Sequence, residues 1–492
     1  MPSSMEEEGA GSVGSSRHRA AVLAVAVGLA ALAYAFPLPG IPEAGRRLTA
    51  VLMVVGTLWL SEALPLAVTA LLGPTLAVLV GAAPAAKAFA AFGNPLIMLF
   101  IGSFMIAGVT FKHRLNERIA YRVLSLPAVG RDPIRAFVLL GLTTAALSAW
   151  MSNVAVTAMM LPIAQSVLVA MVGDQRPPRV LGAAFVLVVT YAASIGGLFT
   201  PVGTPPNLIG IGLIEQATGT RISFGRWMVE VFPVVAFVLL AMIAYFVWLF
   251  RAEARTLVYH REQMAARYAA LGPWRSVERR VAAALLVTAA LWIGPPTLSL
   301  FSAPLGAFLN AHLPESVVPV LVAVVLFWIR EGPGEPRTVL ELRDLAALDW
   351  PVVLLFGGGM CIGHLMMETG VAAALGALLA SFVPAGNTAL LVFIFCLLAI
   401  AVSETTSNTA SANMVVPVVI AVSTQAGADP VALGLAATVA CTFGFMLPVS
   451  TPTNAMAYST GYVTQRQMIR YGILLDILGA AALTFWFGWV VA

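Results

Sequence analysis

Charge is what this chain of 492 residues has least of: only 10% of its residues are Asp, Glu, Lys or Arg, against about 25% in an ordinary soluble domain. With 60% hydrophobic residues and a mean hydropathy of +0.92, a soluble fold and a nucleic-acid partner are both excluded. Cysteine is scarce too. Cys361, Cys396 and Cys441 lie in apolar stretches without metal-ligand spacing and cannot all pair, so they read as small buried hydrophobes. No nucleophile–base set, metal-ligand cluster or nucleotide loop is present, and Gly357-Gly358-Gly359 is not followed by a phosphate-loop lysine. That argues against an enzyme and leaves the glycines as close helix packing.

What fills the chain is apolar runs of spanning length, at about 20 residues per membrane helix. Residues 1–19 read as a disordered tail. Arg17-His18-Arg19 and Ala33-Tyr34-Ala35 superficially suit a cleaved signal peptide, but the charge balance favours a retained first span. Spans are expected near 20–36, 47–62, 65–82 and 95–111, followed by a basic amphipathic stretch from Lys112 through Arg118 to Arg135 lying along the interface. The run 134–171 is interrupted at Ser148 and Ser152-Asn153 and predicts two half-helices that enter and return. The run 180–217 predicts a span unwound at Thr200–Pro206, where Pro205 and Pro206 remove backbone donors. Spans near 226–250, 277–294, 316–330 and 350–370 follow. A second hairpin is expected over 387–424, interrupted at Ser403–Asn408, then a span at 431–460 broken at 450–453, and a last span at 468–490.

With the N-terminus and both long basic connections inside, the outside keeps only Arg46, Arg47, Lys87, Arg221 and Arg226 of the 27 Lys and Arg. The positive-inside rule favours that orientation and accounts for the net charge of +4. The two halves also repeat. Asn94-Pro95 and Trp350-Pro351 each precede an apolar span, and Pro95 to Ser152 is 57 residues where Pro351 to Ser407 is 56. The hairpins enter from opposite sides, and inverted repeats with broken helices are the architecture of secondary transporters.

Four polar interruptions organise this repeat: Ser152-Asn153-Val154, Gly203-Thr204-Pro205-Pro206-Asn207, Ser407-Asn408-Thr409 and Ser450-Thr451-Pro452-Thr453-Asn454. Unwound backbone at membrane depth survives only against protein or a water-filled cavity, so the four are expected to converge. Helix N-termini favour anions, while freed carbonyls and Ser or Asn oxygens are hard ligands suited to Na⁺. None of the four contains Arg or Lys, so bound cations are the natural compensation for an anionic substrate. A lone Ser-Asn is ordinarily interhelical glue, but four breaks in matched order point to a site. Glu404 reads as a brace for its hairpin rather than a proton carrier, although intramembrane acids are functional by default. Asp476 and the His364/Glu368 pair read as interfacial or interhelical, and Met159 and Met160 as filling.

At these residues the chain resembles the divalent anion/sodium symporter family. The resemblance rests on Ser152-Asn153 with Met159-Met160-Leu161-Pro162, Gly203–Asn207, Glu404–Thr409 and Pro448–Asn454, and covers essentially the whole membrane region. It implies an all-α polytopic fold of about eleven spans plus two re-entrant hairpins, working as a homodimeric elevator in the cell membrane. A scaffold would comprise 20–130 and 251–385, and a transport domain 131–250 and 386–492. It implies a Na⁺ site at Ser148, Ser152, Asn153 and Gly203, a second at Ser403, Thr406, Asn408 and Ser450, and an anion held by Asn153, Thr204, Ser407, Asn408, Thr409 and Pro452. The implied activity is Na⁺ symport of a small divalent anion, foremost a C4-dicarboxylate such as succinate or malate. Na⁺-independent dicarboxylate exchange, sulfate or citrate transport, and an anion channel are the alternatives. Val154 departs from the family's usual Thr, and Ser403 stands where Thr is frequent.

Overall fold

Residues 16–173, 177–381 and 387–491 are described by the computed structural model; most of the N-terminal tail and Arg176 lie outside them. Among the described residues the chain is helical, with one isolated antiparallel bridge, Arg330 to Thr338. The first half runs α1 (Ser16–Ala35), α2 (Glu43–Ser61), α3 (Leu66–Leu79), the short α4 (Ala85–Ala88), α5 (Pro95–Lys112), α6 (Leu115–Leu124), α7 (Pro133–Ser148), α8 (Asn153–Val172), α9 (Arg179–Gly196), α10 (Pro205–Thr218) and α11 (Phe224–Ala254). After α12 (Arg261–Ala270), the second half runs α13 (Ser276–Phe301), α14 (Ala303–His312), α15 (Val318–Trp328), α16 (Trp350–Glu368), α17 (Val371–Ala380), α18 (Thr388–Thr405), α19 (Asn408–Gln425), α20 (Pro430–Ala440), α21 (Pro452–Ser459) and α22 (Gln465–Phe485). A π-helical turn, Trp486–Val491, closes the described chain. Nine of the described helices are long and apolar enough to cross a membrane.

Matched starts mark the repeat. Asn94 caps α5 by accepting from Leu96 N at 2.8 Å, and Asp349 caps α16 through Val352 N at 3.3 Å. Asp132 caps α7 through Ile134 N at 2.8 Å, and Asn387 caps α18 through Leu390 N at 2.9 Å. Each pair supplies a short side-chain acceptor for first-turn N–H groups that have no partner inside the helix. The innermost helices are also equivalent: every residue of α9 from Leu181 to Gly196 and of α20 from Val431 to Ala440 is buried, as expected of helices apolar on all sides.

The hairpins and breaks stand where the polar residues place them. The first turn lies between Ser148 and Asn153 and the second between Thr405 and Asn408. Both breaks begin earlier than expected, at Gly197 and Cys441, because α9 and α20 end there. The helices α14 and α17 were not anticipated. Gly357, Gly358 and Gly359 of α16 do mark close packing, against the Phe92 ring, the Ala70 carbonyl and the Asn413 carboxamide respectively.

The basic arm differs in one respect from a helix lying on lipid headgroups. Arg118 turns inward and is 2% exposed. Its guanidinium donates to the carbonyls of Gly272 at 2.8 Å and Leu271 at 3.1 Å and pairs with Glu278 at 3.1 Å. Five fixed donors let arginine satisfy several carbonyls and a carboxylate together, so this cation locks α6 to the loop before α13.

Candidate functional site

The two hairpin turns carry the same bond. Ser148 Oγ donates to Asn153 Oδ1 at 2.8 Å, and Ser403 Oγ reaches Asn408 Oδ1 at 2.8 Å. In each, a buried serine from the last turn of the incoming helix orients the carboxamide that opens the outgoing one. Asn153 Nδ2 also points at Thr204 Oγ1, 3.5 Å away, tying the first turn to the first break.

The breaks carry a second matched device. Asn207 Nδ2 donates to the carbonyls of Gly197 at 2.9 Å and Thr200 at 2.8 Å; Asn454 Nδ2 donates to those of Gly444 at 2.8 Å and Leu447 at 3.0 Å. One carboxamide thus satisfies two carbonyls that the interrupted helix leaves open, as buried backbone requires. The motifs containing these asparagines stand out in the sequence, but the carbonyls they satisfy do not. Their signal was the identical spacing, with glycine ten residues before asparagine in both breaks.

Oxygens crowd at both junctions. A Cβ on Gly203 would stand 2.5 Å from Gly197 O and 3.0 Å from Ala149 O, and one on Gly197 would stand 2.4 Å from Asn153 Oδ1. Two carbonyls and a carboxamide oxygen therefore gather where only glycine leaves room. At the second junction Ser403 Oγ lies 2.8 Å from Asn408 Oδ1 and 2.6 Å from Cys441 O, one hydroxyl proton between two acceptors. Ser450 Oγ donates to Ser403 O at 2.9 Å and faces Gly444. Thr406 instead bonds Ser411 Oγ at 3.0 Å and Val402 O at 2.9 Å. Clusters of oxygen with too few protons to share are suited to a hard monovalent cation; of the predicted sets, Ser148, Asn153 and Gly203 meet at the first junction while Ser152 lies on a cavity wall, and Ser403, Asn408 and Ser450 meet at the second while Thr406 bonds elsewhere. No group of three His, Cys, Asp or Glu arranged to hold a metal occurs among the described residues.

Glu404 braces more than its own hairpin. Its carboxylate accepts from Met446 N at 2.6 Å and Leu447 N at 2.9 Å, holding the second break. Asp476 on α22 is 3% exposed and interacts with the Glu404 side chain, so it is interhelical and not interfacial. Tyr191 Oη donates to Phe445 O at 2.7 Å. His364 and Glu368 form a helix-end pair at 3.7 Å, joined by Lys87 at 3.0 Å from Glu368.

A cavity of about 690 Å³ opens beside the first turn. Ser152, Val154 and Pro452 share its wall with residues of α5 and with Leu340, Asp344 and Asp349. Of the six predicted anion contacts, Pro452 lines it; Asn153, Ser407, Asn408 and Thr409 are half-buried, Thr204 is buried, and these five stand outside this wall. Lys112 at its edge is paired with Asp344 at 2.8 Å and Glu341 at 3.4 Å. A hydrogen bond from Arg343, with Lys112 nearby, holds the half-buried Glu341 carboxyl below its ordinary range.

Residues 15–491 match the family model of the sodium:sulfate symporter transmembrane region. The chain belongs to this family of membrane transporters. It is 31% identical over 442 residues to an uncharacterized transporter of Haemophilus influenzae, covering 90% of each chain. It is 28% identical to the sodium-dependent dicarboxylate transporters SdcS of Staphylococcus saprophyticus and of Staphylococcus aureus strain USA300. These matches span 89% of this chain and 84% and 85% of those proteins. Among solved structures, the Alcanivorax borkumensis YdaH transporter aligns with a TM-score of 0.56 at 15% identity, covering 96% of this chain and 98% of that one. Neisseria gonorrhoeae MtrF, from a class of antimetabolite efflux pumps, aligns with 0.57 at 14%, covering 97% and 95%. These likenesses concern the fold alone.

Proposed function

We propose that the protein is a Na⁺-coupled symporter of a small divalent anion, a C4-dicarboxylate such as succinate or malate. The observation that carries this reading is the pair of oxygen clusters at the two hairpin turns, in motifs without a single Lys or Arg. The similarity to sodium-dependent dicarboxylate transporters supports both the ion and the substrate class.

In this reading Ser148, Ser152, Asn153 and Gly203 hold one Na⁺, and Ser403, Thr406, Asn408 and Ser450 the other. Each ion would supply the positive charge that the motifs lack. Asn153, Thr204, Ser407, Asn408, Thr409 and Pro452 contact the anion. α8 and α19 each begin at a hairpin turn, and their first-turn N–H groups favour carboxylate oxygens. Coupling follows because the anion binds poorly without the ions and the ions without the anion.

The hairpins would be re-entrant, the N-terminus cytoplasmic, and the molecule a homodimer in which 131–250 and 386–492 move as an elevator against the scaffold. Uptake of labelled succinate by proteoliposomes tests the proposal. Accumulation above equilibrium is expected with an inward Na⁺ gradient and not with K⁺ in its place. Uptake that needs internal dicarboxylate and ignores Na⁺ would make the protein an exchanger.

A further inference from the structure

Resting on that functional reading, we propose that the first hairpin turn selects dicarboxylates whose carbon backbone bears no hydroxyl. The two Ser-Asn motifs differ in the residue that follows, Val154 in the first and Thr409 in the second. Val154 is not a core residue: it is 42% exposed and faces the cavity. Around it the wall continues as Met151, Ala155 and Ala158 from the hairpin and Phe104 and Met105 from α5.

A substrate hydroxyl in this region would find little to bond. Lys112 is tied to Asp344 and Glu341, and Asp349 caps Val352 N. Ser152 also lines this wall, and in the functional reading its hydroxyl is committed to the first Na⁺. The hydroxyl would give up its water for an isopropyl face, a loss that an alkyl substituent of the same size avoids. An apolar wall discriminates against an added hydroxyl by at most about 100-fold, so the preference is one of degree.

Racemic malate and racemic 2-methylsuccinate differ only by hydroxyl against methyl, so their ratio isolates the wall. The purified full chain in proteoliposomes with an inward Na⁺ gradient should transport 2-methylsuccinate with a kcat/KM about tenfold or more above that of malate. Val154→Thr, an isosteric change that restores the hydroxyl found at Thr409, should cut that ratio at least several-fold within the same preparation. Malate transported as well as 2-methylsuccinate by the natural chain, or a ratio unmoved by Val154→Thr, overturns the inference. If Na⁺-driven succinate uptake persists in either of those cases, the functional reading stands without it. Absence of uptake of succinate, malate and 2-methylsuccinate alike overturns both.

Discussion

The two hairpin–break units are built to one plan but fastened by different groups. In the first, the break donates to the hairpin: the Thr200 hydroxyl bonds the Ala149 carbonyl. In the second, the break donates through its backbone, Met446 N and Leu447 N, to the carboxylate of Glu404. Glu404 follows Ser403 as Ala149 follows Ser148, and Leu447 stands seven residues before its asparagine as Thr200 does. The break donates in both, but the side chain that makes the contact belongs to the break in the first unit and to the hairpin in the second. What the fold requires is a cross-link between turn and break at that place, not a particular residue.

A second asymmetry lies at the junctions themselves. Gly203 leaves its cradle open to the carbonyls of Gly197 and Ala149, whereas Ser450 at the equivalent place puts a hydroxyl into its own. Ser407 accepts from Ala410 N at 3.2 Å, while Ser152 makes no such cap bond. The first turn is therefore the more open of the two, and it is the one that meets the cavity.

The comparison can be broken where the halves are alike. Asn153→Ala and Asn408→Ala should each lower Na⁺-driven succinate uptake by about 100-fold, since each removes a carboxamide at a buried polar junction; full uptake in both variants would place the site elsewhere. It sharpens where the halves differ. Gly203→Ala forces a methyl to within 2.5 Å of Gly197 O, and should raise the Na⁺ concentration for half-maximal uptake by about tenfold, from the loss of one ligand contact. An unchanged Na⁺ response would exclude the cradle as an ion site. Glu404→Gln leaves one break N–H poorly satisfied and should cost about 1–3 kcal/mol of stability, read as a fall in Tm, whereas Ala149→Ser should do almost nothing. Ser450→Ala should cost less than Glu404→Gln, about 1 kcal/mol for one neutral hydrogen bond, with the Na⁺ response shifted less than in Gly203→Ala. A larger shift in Ser450→Ala would reverse the ranking of the two junctions.

Much of the site was legible because polar residues inside apolar runs are conspicuous. Ser152-Asn153, Ser407-Asn408 and the two Thr-Pro-x-Asn steps marked both turns and the far ends of both breaks. Where the breaks begin was not visible, because Leu198-Phe199 and Cys441 to Phe445 look like any membrane helix. Asn207 and Asn454 take up the carbonyls freed there, and that is a tertiary decision made up to ten residues away. The short helices α14 and α17 escaped notice because hydropathy alone cannot separate a half-length helix from the end of a span. Arg118 misled for the opposite reason: its charge spoke for the interface, while its partners lie some 150 residues further along the chain, at Leu271, Gly272 and Glu278.

Equilibrium binding to the purified protein tests most directly whether cation and anion occupy one linked site. Titrations of succinate at several fixed Na⁺ concentrations, and of Na⁺ at several fixed succinate concentrations, should show each tightening the other by the same factor, as thermodynamic reciprocity demands. Succinate affinity that is identical with Na⁺ and with K⁺ would contradict the account.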